Sequence, residues 1–595
     1  MSTPEKLIPF RAQSESFTVF KDEGCYYVDK TGFIRHLIEN GDKICVCTRP
    51  RRFGKTLMLK TLKAFFEFAY DREGNIVDNR RYFEGLKVMQ SSDRVLAHMG
   101  QYPVIFLSLK DVKGDSYALI CDQMRSAIYQ ACREHLDLHQ NQSLLPGEQA
   151  EFQHYLEKTP TESEIMGFLD SMSAWLNRTT HRKVVILIDE YDVPLQQAAI
   201  YDNHHPGSNL YESTVRLVGN FISAGFKSND NLAYGIITGC MRVAKESIFT
   251  GMNNPGVITV LDGIPDEFWG FTEPEVKAML AYYGLEDRYQ DIEAWYDGYT
   301  YSGRKVFNPW SLLNAIRGLV NGYGNDAIQP YWVMTSSNDI IDDMIDSHPM
   351  YREALAKLMN GDTKRVPVYK DLSYRDLKTR PDSIWSFLLF TGYLKAVRIM
   401  RNSDNLLEAE VAIPNAEIKS VMTSAMRHWW NDIQLRCYPA QTLIKAMTSG
   451  DIETLERELR IVLNDSTSVF DYNEAFYHGM LVGLLGNVTR VRSNDEYGEG
   501  RPDIVALTED KGILIEVKCV TPKALEQAMK SHPEADEFDI IDACVATKLD
   551  EAAKQITDRK YVRAVLRDEP TARKVIAYAI CFCKKWCAAR RVQPD

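Results

Sequence analysis

Two groups of residues in this 595-residue chain have the types and spacing for phosphate chemistry, and they lie toward opposite ends of it. The first is Arg49-Pro50-Arg51-Arg52-Phe53-Gly54-Lys55-Thr56. On a loop that opens a helix, Arg52, Phe53 and Gly54 present backbone N–H groups to a nucleotide's phosphates, Lys55 reaches the β- and γ-phosphates, and Thr56 holds a magnesium ion. The second group is Asp503, Glu516 and Lys518. Two carboxylates bind one or two magnesium ions through hard oxygen ligands, and the lysine orients the attacking water or helps to deprotonate it, as phosphodiester hydrolysis requires.

The elements around the first group fit that chemistry. Lys43-Ile44-Cys45-Val46-Cys47-Thr48 has the length and β-branched content of a buried strand, and residues 57–66 carry apolar residues at helical spacing. Strand, loop and helix therefore follow in the order a phosphate loop needs. Arg49 departs from the usual pattern, which has its first glycine there. Downstream, Val184-Val185-Ile186-Leu187-Ile188 runs without alternation into Asp189 and Glu190, as a strand in the middle of a parallel sheet would. At its carboxyl end Asp189 is placed to hold the magnesium, usually through water, and Glu190 to orient or deprotonate the attacking water; alternatively, the two acids begin a solvated turn. A third strand, residues 232–237, ends at Thr238-Gly239 and is followed by Arg242. Thr238 is a candidate contact for the γ-phosphate or its water. Arg242 either neutralises transition-state charge or serves as a structural ion-pair partner.

For the second group the expected frame is a hairpin. Residues 501–507 read as a strand, Glu509-Asp510-Lys511-Gly512 as a turn, and residues 513–518 as the returning strand. The hairpin brings Asp503 beside Glu516, and Glu516 and Lys518, two apart, leave the same face. An exposed hairpin with surface ion pairs is the plain alternative, but it gives no reason for Ile513 and Ile515 to flank a lone acid.

With Ile8-Pro9-Phe10, Tyr26-Tyr27-Val28-Asp29-Lys30-Thr31, the loop at 49–56, Ile188-Asp189-Glu190-Tyr191-Asp192-Val193-Pro194-Leu195 and Ala244-Lys245-Glu246-Ser247-Ile248-Phe249, the chain resembles the bacterial AAA-ATPase-like family. In that family the arginine-rich phosphate loop is the usual form, so the resemblance accommodates Arg49 and implies ATP as the nucleotide. Members commonly carry a C-terminal PD-(D/E)XK nuclease domain, and the hairpin is similar to one. That resemblance puts Glu474, on a helix beginning near Asn473, in the position of a carboxylate that completes the metal shell directly or through water. It also likens Ala552-Ala553-Lys554-Gln555-Ile556 and Lys560-Tyr561 to the helix after the hairpin, where glutamine and lysine face the scissile phosphate.

The expected fold class is α/β, in three parts: an AAA-ATPase-like P-loop domain with a parallel sheet at 1–263, a mainly helical middle region at 264–415, and a helical connector with a restriction-endonuclease-like α/β domain at 416–595. Small strands are expected within the middle region near 393–400 and 408–413. No apolar stretch suits a membrane span and no secretory signal opens the chain, which predicts a cytoplasmic protein with no membrane partner. The 12 cysteines are scattered; Cys581, Cys583 and Cys587 cluster in strand-like sequence without the paired spacing of a zinc site. A net charge of −12 argues against indiscriminate coating of DNA, while leaving local basic patches such as Lys584-Lys585 and Arg590-Arg591. The leading expectation is an ATP-binding, ATP-hydrolysing protein whose fused magnesium-dependent nuclease cuts nucleic acid under nucleotide control, with DNA ahead of RNA as the partner. Alternatives are a nucleotide-dependent switch or scaffold with an inactive nuclease-like domain, and a translocase. A homo-oligomer stays open.

Overall fold

The computed structural model describes residues 16–68, 75–242, 255–262, 266–301, 304–332, 350–359, 361–423, 439–466, 473–486, 489–493, 502–508, 510–532, 534–569 and 572–593. The motifs at Ile8-Pro9-Phe10 and Ala244-Lys245-Glu246-Ser247-Ile248-Phe249, and the residues Arg501 and Glu509, lie outside them. The chain divides into two compact units, one of Met1–Ile340 with Thr363–Val421, the other of Ile341–Asp362 with Met422–Asp595.

The first unit is built on a parallel sheet of β1 (Ile44–Thr48), β2 (Val104–Ser108), β3 (Val184–Asp189), β4 (Leu232–Gly239) and β5 (Gly256–Ile258), in the order β2-β3-β4-β1-β5. Every residue of β1 and β3 is buried, which accounts for apolar runs that do not alternate: both sheet faces are covered. The helix Lys55–Phe66 lays Met58, Leu59, Leu62 and Phe65 against Cys45, Cys47, Val185, Leu187 and Ile236. Parallel register then aligns the strand ends. Thr48 of β1 pairs with Gly239 of β4, and Ser108 of β2 with Asp189 of β3, so the loop after β1 emerges beside the acids that end β3.

The same unit holds two smaller antiparallel sheets. One has the order β6-β8-β7, from β6 (Phe271–Thr272), β7 (Tyr299–Tyr301) and β8 (Arg304–Phe307); the other has the order β10-β11-β9, from β9 (Lys364–Pro367), β10 (Lys395–Arg401) and β11 (Leu407–Ala412). Helices Glu273–Tyr283, Pro309–Val320 and Ser383–Thr391 accompany them. These elements are packed onto the phosphate loop itself: Phe53 meets Tyr299 edge-to-face at 5.1 Å, and the Tyr299 hydroxyl donates to the Gly392 carbonyl at 2.9 Å.

The second unit has a mixed sheet of β12 (Arg490–Ser493), β13 (Ile504–Leu507), β14 (Lys511–Cys519), β15 (Lys574–Cys583) and β16 (Trp586–Val592), in chain order. β13 and β14 form the expected antiparallel hairpin, with Ile504 opposite Ile515; β14 runs parallel to β15. Ile513, Ile515 and Val517 pack on one face with Leu455, Leu459, Met480 and Leu484, and Leu514 on the other with Leu549, Ala552 and Ile556. Helix Met350–Met359 joins this unit beside helix Glu474–Gly486. Among the described residues no helix is long and apolar enough to cross a membrane.

Gly392 closes the Ser383–Thr391 helix at φ +90°, where a Cβ would also stand 2.8 Å from the Pro50 side chain. A Gly392→Ala substitution is expected to combine left-handed strain with overpacking against the phosphate loop, lowering stability by about 1–3 kcal/mol. Thermal unfolding of the variant beside the native chain checks this; an unchanged midpoint would show that the loop yields freely.

Candidate functional sites

At the carboxyl edge of the parallel sheet, the loop turns back through two left-handed residues, Arg52 (φ 68°) and Gly54 (φ 79°), and Gly54 caps the Lys55–Phe66 helix. The helix's first N–H groups and its positive end open there. The Thr56 and Thr238 hydroxyls donate to the two carboxylate oxygens of Asp189, each at 2.6 Å. The Lys55 ammonium, buried, donates to the Arg49 and Pro50 carbonyls at 3.1 Å, with Cys240 Sγ at 3.7 Å. Glu190 follows in a left-handed conformation (φ 51°). Burial pushes its carboxyl above the ordinary range, Asp189 and Asp192 push the same way, and Lys55 and Arg51 oppose them.

The loop's other side chains turn inward. Arg49 is 1% exposed and donates to the Thr48 carbonyl at 2.8 Å and to the Ile258 carbonyl of β5 at 3.3 Å, with its guanidinium 5.7 Å from the Trp269 ring. An arginine in the glycine position thus fastens β1 to β5. Arg52 lies 4.2 Å from the Trp310 ring and Phe53 is buried on Tyr299, so what either offers a phosphate is its backbone N–H. Arg242 is 3.1 Å from Asp371, the ion-pair arrangement.

Asp192 has a place in this site that the sequence reading did not assign. It is 2% exposed, and its Oδ2 accepts from the N–H groups of Cys240 and Met241 at 2.8 and 3.1 Å. The neighbouring Tyr191 hydroxyl donates to the Met241 carbonyl at 2.6 Å. The turn after β3 therefore holds the exit of β4. Its trace in sequence is a third acid, after Asp189 and Glu190, inside the Ile188–Leu195 motif.

In the second unit, Glu516 is fully buried on β14. Its Oε1 lies 3.3 Å from the Lys518 ammonium; its Oε2 has no hydrogen-bond partner among the described residues. Burial first, then the charge of Asp503, pushes the Glu516 carboxyl up to about 7. Asp503 accepts from the Val517 N–H at 2.8 Å, locking the hairpin in the register that sets the two acids side by side. Lys518 is also 3.6 Å from Glu474. Burial works against its charge, but Glu516, Glu474 and Asp503 outweigh it and hold the amine above the ordinary lysine value. His478 Nε2 is 2.9 Å from the Asp503 carbonyl and 3.0 Å from the Ser493 hydroxyl, which ties the helix to the hairpin. A cavity of about 370 Å³ opens here, lined by Asn473, Glu474, Ala475, His478 and Asp503.

The structure thus brings Glu474, Asp503, Glu516 and Lys518 to one place. Among the described residues, however, no three His, Cys, Asp or Glu side chains are gathered as a metal cluster; Lys518 bridges Glu474 and Glu516. A buried carboxylate oxygen without a donor, next to a second carboxylate, suits a hard divalent cation. On the following helix, Ala552 and Ile556, with Tyr561 beyond it, pack into the apolar cluster, while Lys554 and Lys560 are exposed and Gln555 is half-buried. Cys581 and Cys583 lie buried in β15 and Cys587 in β16.

Comparison with known proteins agrees with this geometry. A family model described as "Predicted AAA-ATPase" matches residues 13–249, and one described as "PD-(D/E)XK nuclease superfamily" matches residues 472–591. An uncharacterized protein encoded in the vnfD 5' region of Azotobacter chroococcum mcd 1 is 28% identical over 532 residues, which are 86% of this chain and 90% of that protein. The chain thus carries an AAA-ATPase-like domain in its N-terminal part and a PD-(D/E)XK nuclease superfamily domain in its C-terminal part.

Proposed function

We propose that the chain is a magnesium-dependent nuclease whose cutting of nucleic acid, DNA before RNA, is controlled by ATP binding and hydrolysis in a cytoplasmic setting. The observation that carries the cutting half is the grouping at Glu516: a buried acid with an unpartnered oxygen, set beside Asp503, Glu474 and Lys518, is an arrangement a divalent cation suits. Glu516 and Asp503 would hold magnesium, with Glu474 directly or through water. The ion would supply a more acidic water and charge neutralisation at the phosphate. Lys518 holds its ammonium at the same spot, positioned to orient the attacking water and offset phosphate charge.

In the first unit, Lys55 and the helix N-terminus would receive the β- and γ-phosphates, and Thr56 and Asp189 the magnesium. Glu190, with its raised proton affinity, stands to take a proton from the attacking water, and Thr238 links Asp189 to the end of β4. A second reading, a nucleotide-dependent switch with a silent nuclease fold, is favoured by one observation: Lys518 already neutralises Glu474 and Glu516 from within the protein.

Cleavage of plasmid, linear and single-stranded DNA and RNA, with and without magnesium and ATP, separates the two readings. The expected outcome is magnesium-dependent cutting that falls at least about a hundredfold in Asp503→Ala. Equal rates in the variant would remove the hairpin from the chemistry, and no cutting under any condition would favour the switch. Lys55→Ala is expected to lower ATP turnover at least about a hundredfold and to make cleavage insensitive to ATP, while cleavage without nucleotide persists. ATP-responsive cleavage surviving in that variant would sever the two activities.

Glu516 also makes stability depend on pH. Unfolded, its carboxyl loses the proton near 4.5; folded and metal-free, near 7. Between those values the folded state binds more protons, so stability falls as pH rises, by up to about 3 kcal/mol once both states are ionised. Thermal unfolding of the metal-free chain at pH 5 and 8 should show a decline that is smaller in Glu516→Gln. Parallel declines in the two proteins would place the pH dependence elsewhere.

A further inference from the structure

The chain passes between its two units at 340/341, 362/363 and 421/422. Segments of the first unit leading to two of these crossings are fastened to each other. Glu417, on the helical stretch 416–423 and 1% exposed, accepts through Oε1 the N–H of Tyr331 at 2.8 Å and of Trp332 at 2.9 Å. Tyr331 and Trp332 end the described stretch that precedes the first crossing. Were the two segments to shift apart, a buried carboxyl, the buried Trp332 N–H and the part-buried Tyr331 N–H would lose their partners, so separation is costly.

Two routes of packed side chains connect this clasp to the phosphate loop, both within the first unit. In one, Arg52 stacks over Trp310, and the adjoining Ser311 lies against Glu417. In the other, Phe53 meets Tyr299, whose hydroxyl bonds the Gly392 carbonyl, and the next residue, Tyr393, packs on Trp332 with ring centroids 4.6 Å apart. The loop residues that offer only backbone to a phosphate thus spend their side chains on a path toward the clasp.

We propose that Glu417 is a positioning residue that carries the state of the phosphate loop to the two linked exit segments, and through them to the nuclease unit. The proposal rests on the nucleotide-control reading above. Its physical basis is a discrete fastening shared by both exits, which a displacement of the loop shifts as one body.

The test compares, in the full-length chain, the ratio of magnesium-dependent cleavage rates with and without ATP in the native protein, Glu417→Gln, Glu417→Ala and Trp310→Leu. ATP turnover and thermal unfolding are followed in parallel. Glutamine keeps the acceptor oxygen and is expected to hold the ratio within about twofold of native, whereas alanine brings it to about one with ATP turnover and nucleotide-free cleavage within about threefold. A folded Glu417→Ala protein that keeps the native ratio overturns the proposal, as does a Gln variant that uncouples as completely as Ala. Should the alanine variant fail to fold, Trp310→Leu, which leaves the clasp in place and removes the ring under Arg52, must show the same collapse; retention of the native ratio there is equally fatal. A native ratio of one, seen before any variant is compared, rejects nucleotide control itself and this inference with it.

Discussion

A carboxylate taken out of water has to be met by donors, and the organisation of both units follows from how that requirement is handled. Asp189 is met by the hydroxyls of Thr56 and Thr238, which join the phosphate loop, β3 and β4 at one point. Asp192 is met by the N–H groups of Cys240 and Met241, and Glu417 by those of Tyr331 and Trp332. In each case an acid fixes two segments distant in sequence. Glu516 is met by a side chain instead: one oxygen faces Lys518, while the other, like Asp192 Oδ1, meets no donor among the described residues. The donors that meet these acids hold distant segments of the fold together.

Much of this was legible in sequence because it depends on local pattern. Continuous apolar runs gave away the buried strands β1 and β3, and a two-residue offset put Glu516 and Lys518 on one face. What stayed hidden depends on contacts between distant segments. Nothing near Glu417 says that its partners are Tyr331 and Trp332, and nothing at Arg49 shows that its side chain turns inward to β5 instead of outward to a phosphate. Local pattern also left Lys518 free to act as charge or base. The three carboxylates around it, on two other segments as well as its own strand, raise the proton affinity of the amine.

The middle region illustrates the same limit. Its small strands were expected close to where β10 and β11 lie, but the aromatic and turn-forming segments around Tyr299 and Trp310 carried no chemistry by themselves. In the structure they form the bed on which Phe53 and Arg52 rest. The phosphate loop is shaped from behind by residues hundreds of positions downstream, and those residues belong to the same compact unit as the sheet.

The nuclease unit is not one continuous stretch: it takes in Ile341–Asp362 before the chain returns to complete the first unit through Val421. During synthesis the ribosome therefore delivers part of the second unit, including helix Met350–Met359, before the first unit is whole and long before β12 to β16 exist. Neither unit can be excised as a single fragment without either losing a helix or carrying a foreign insertion. The two units are thus interleaved along the chain, so a cut that frees either one also disturbs the other.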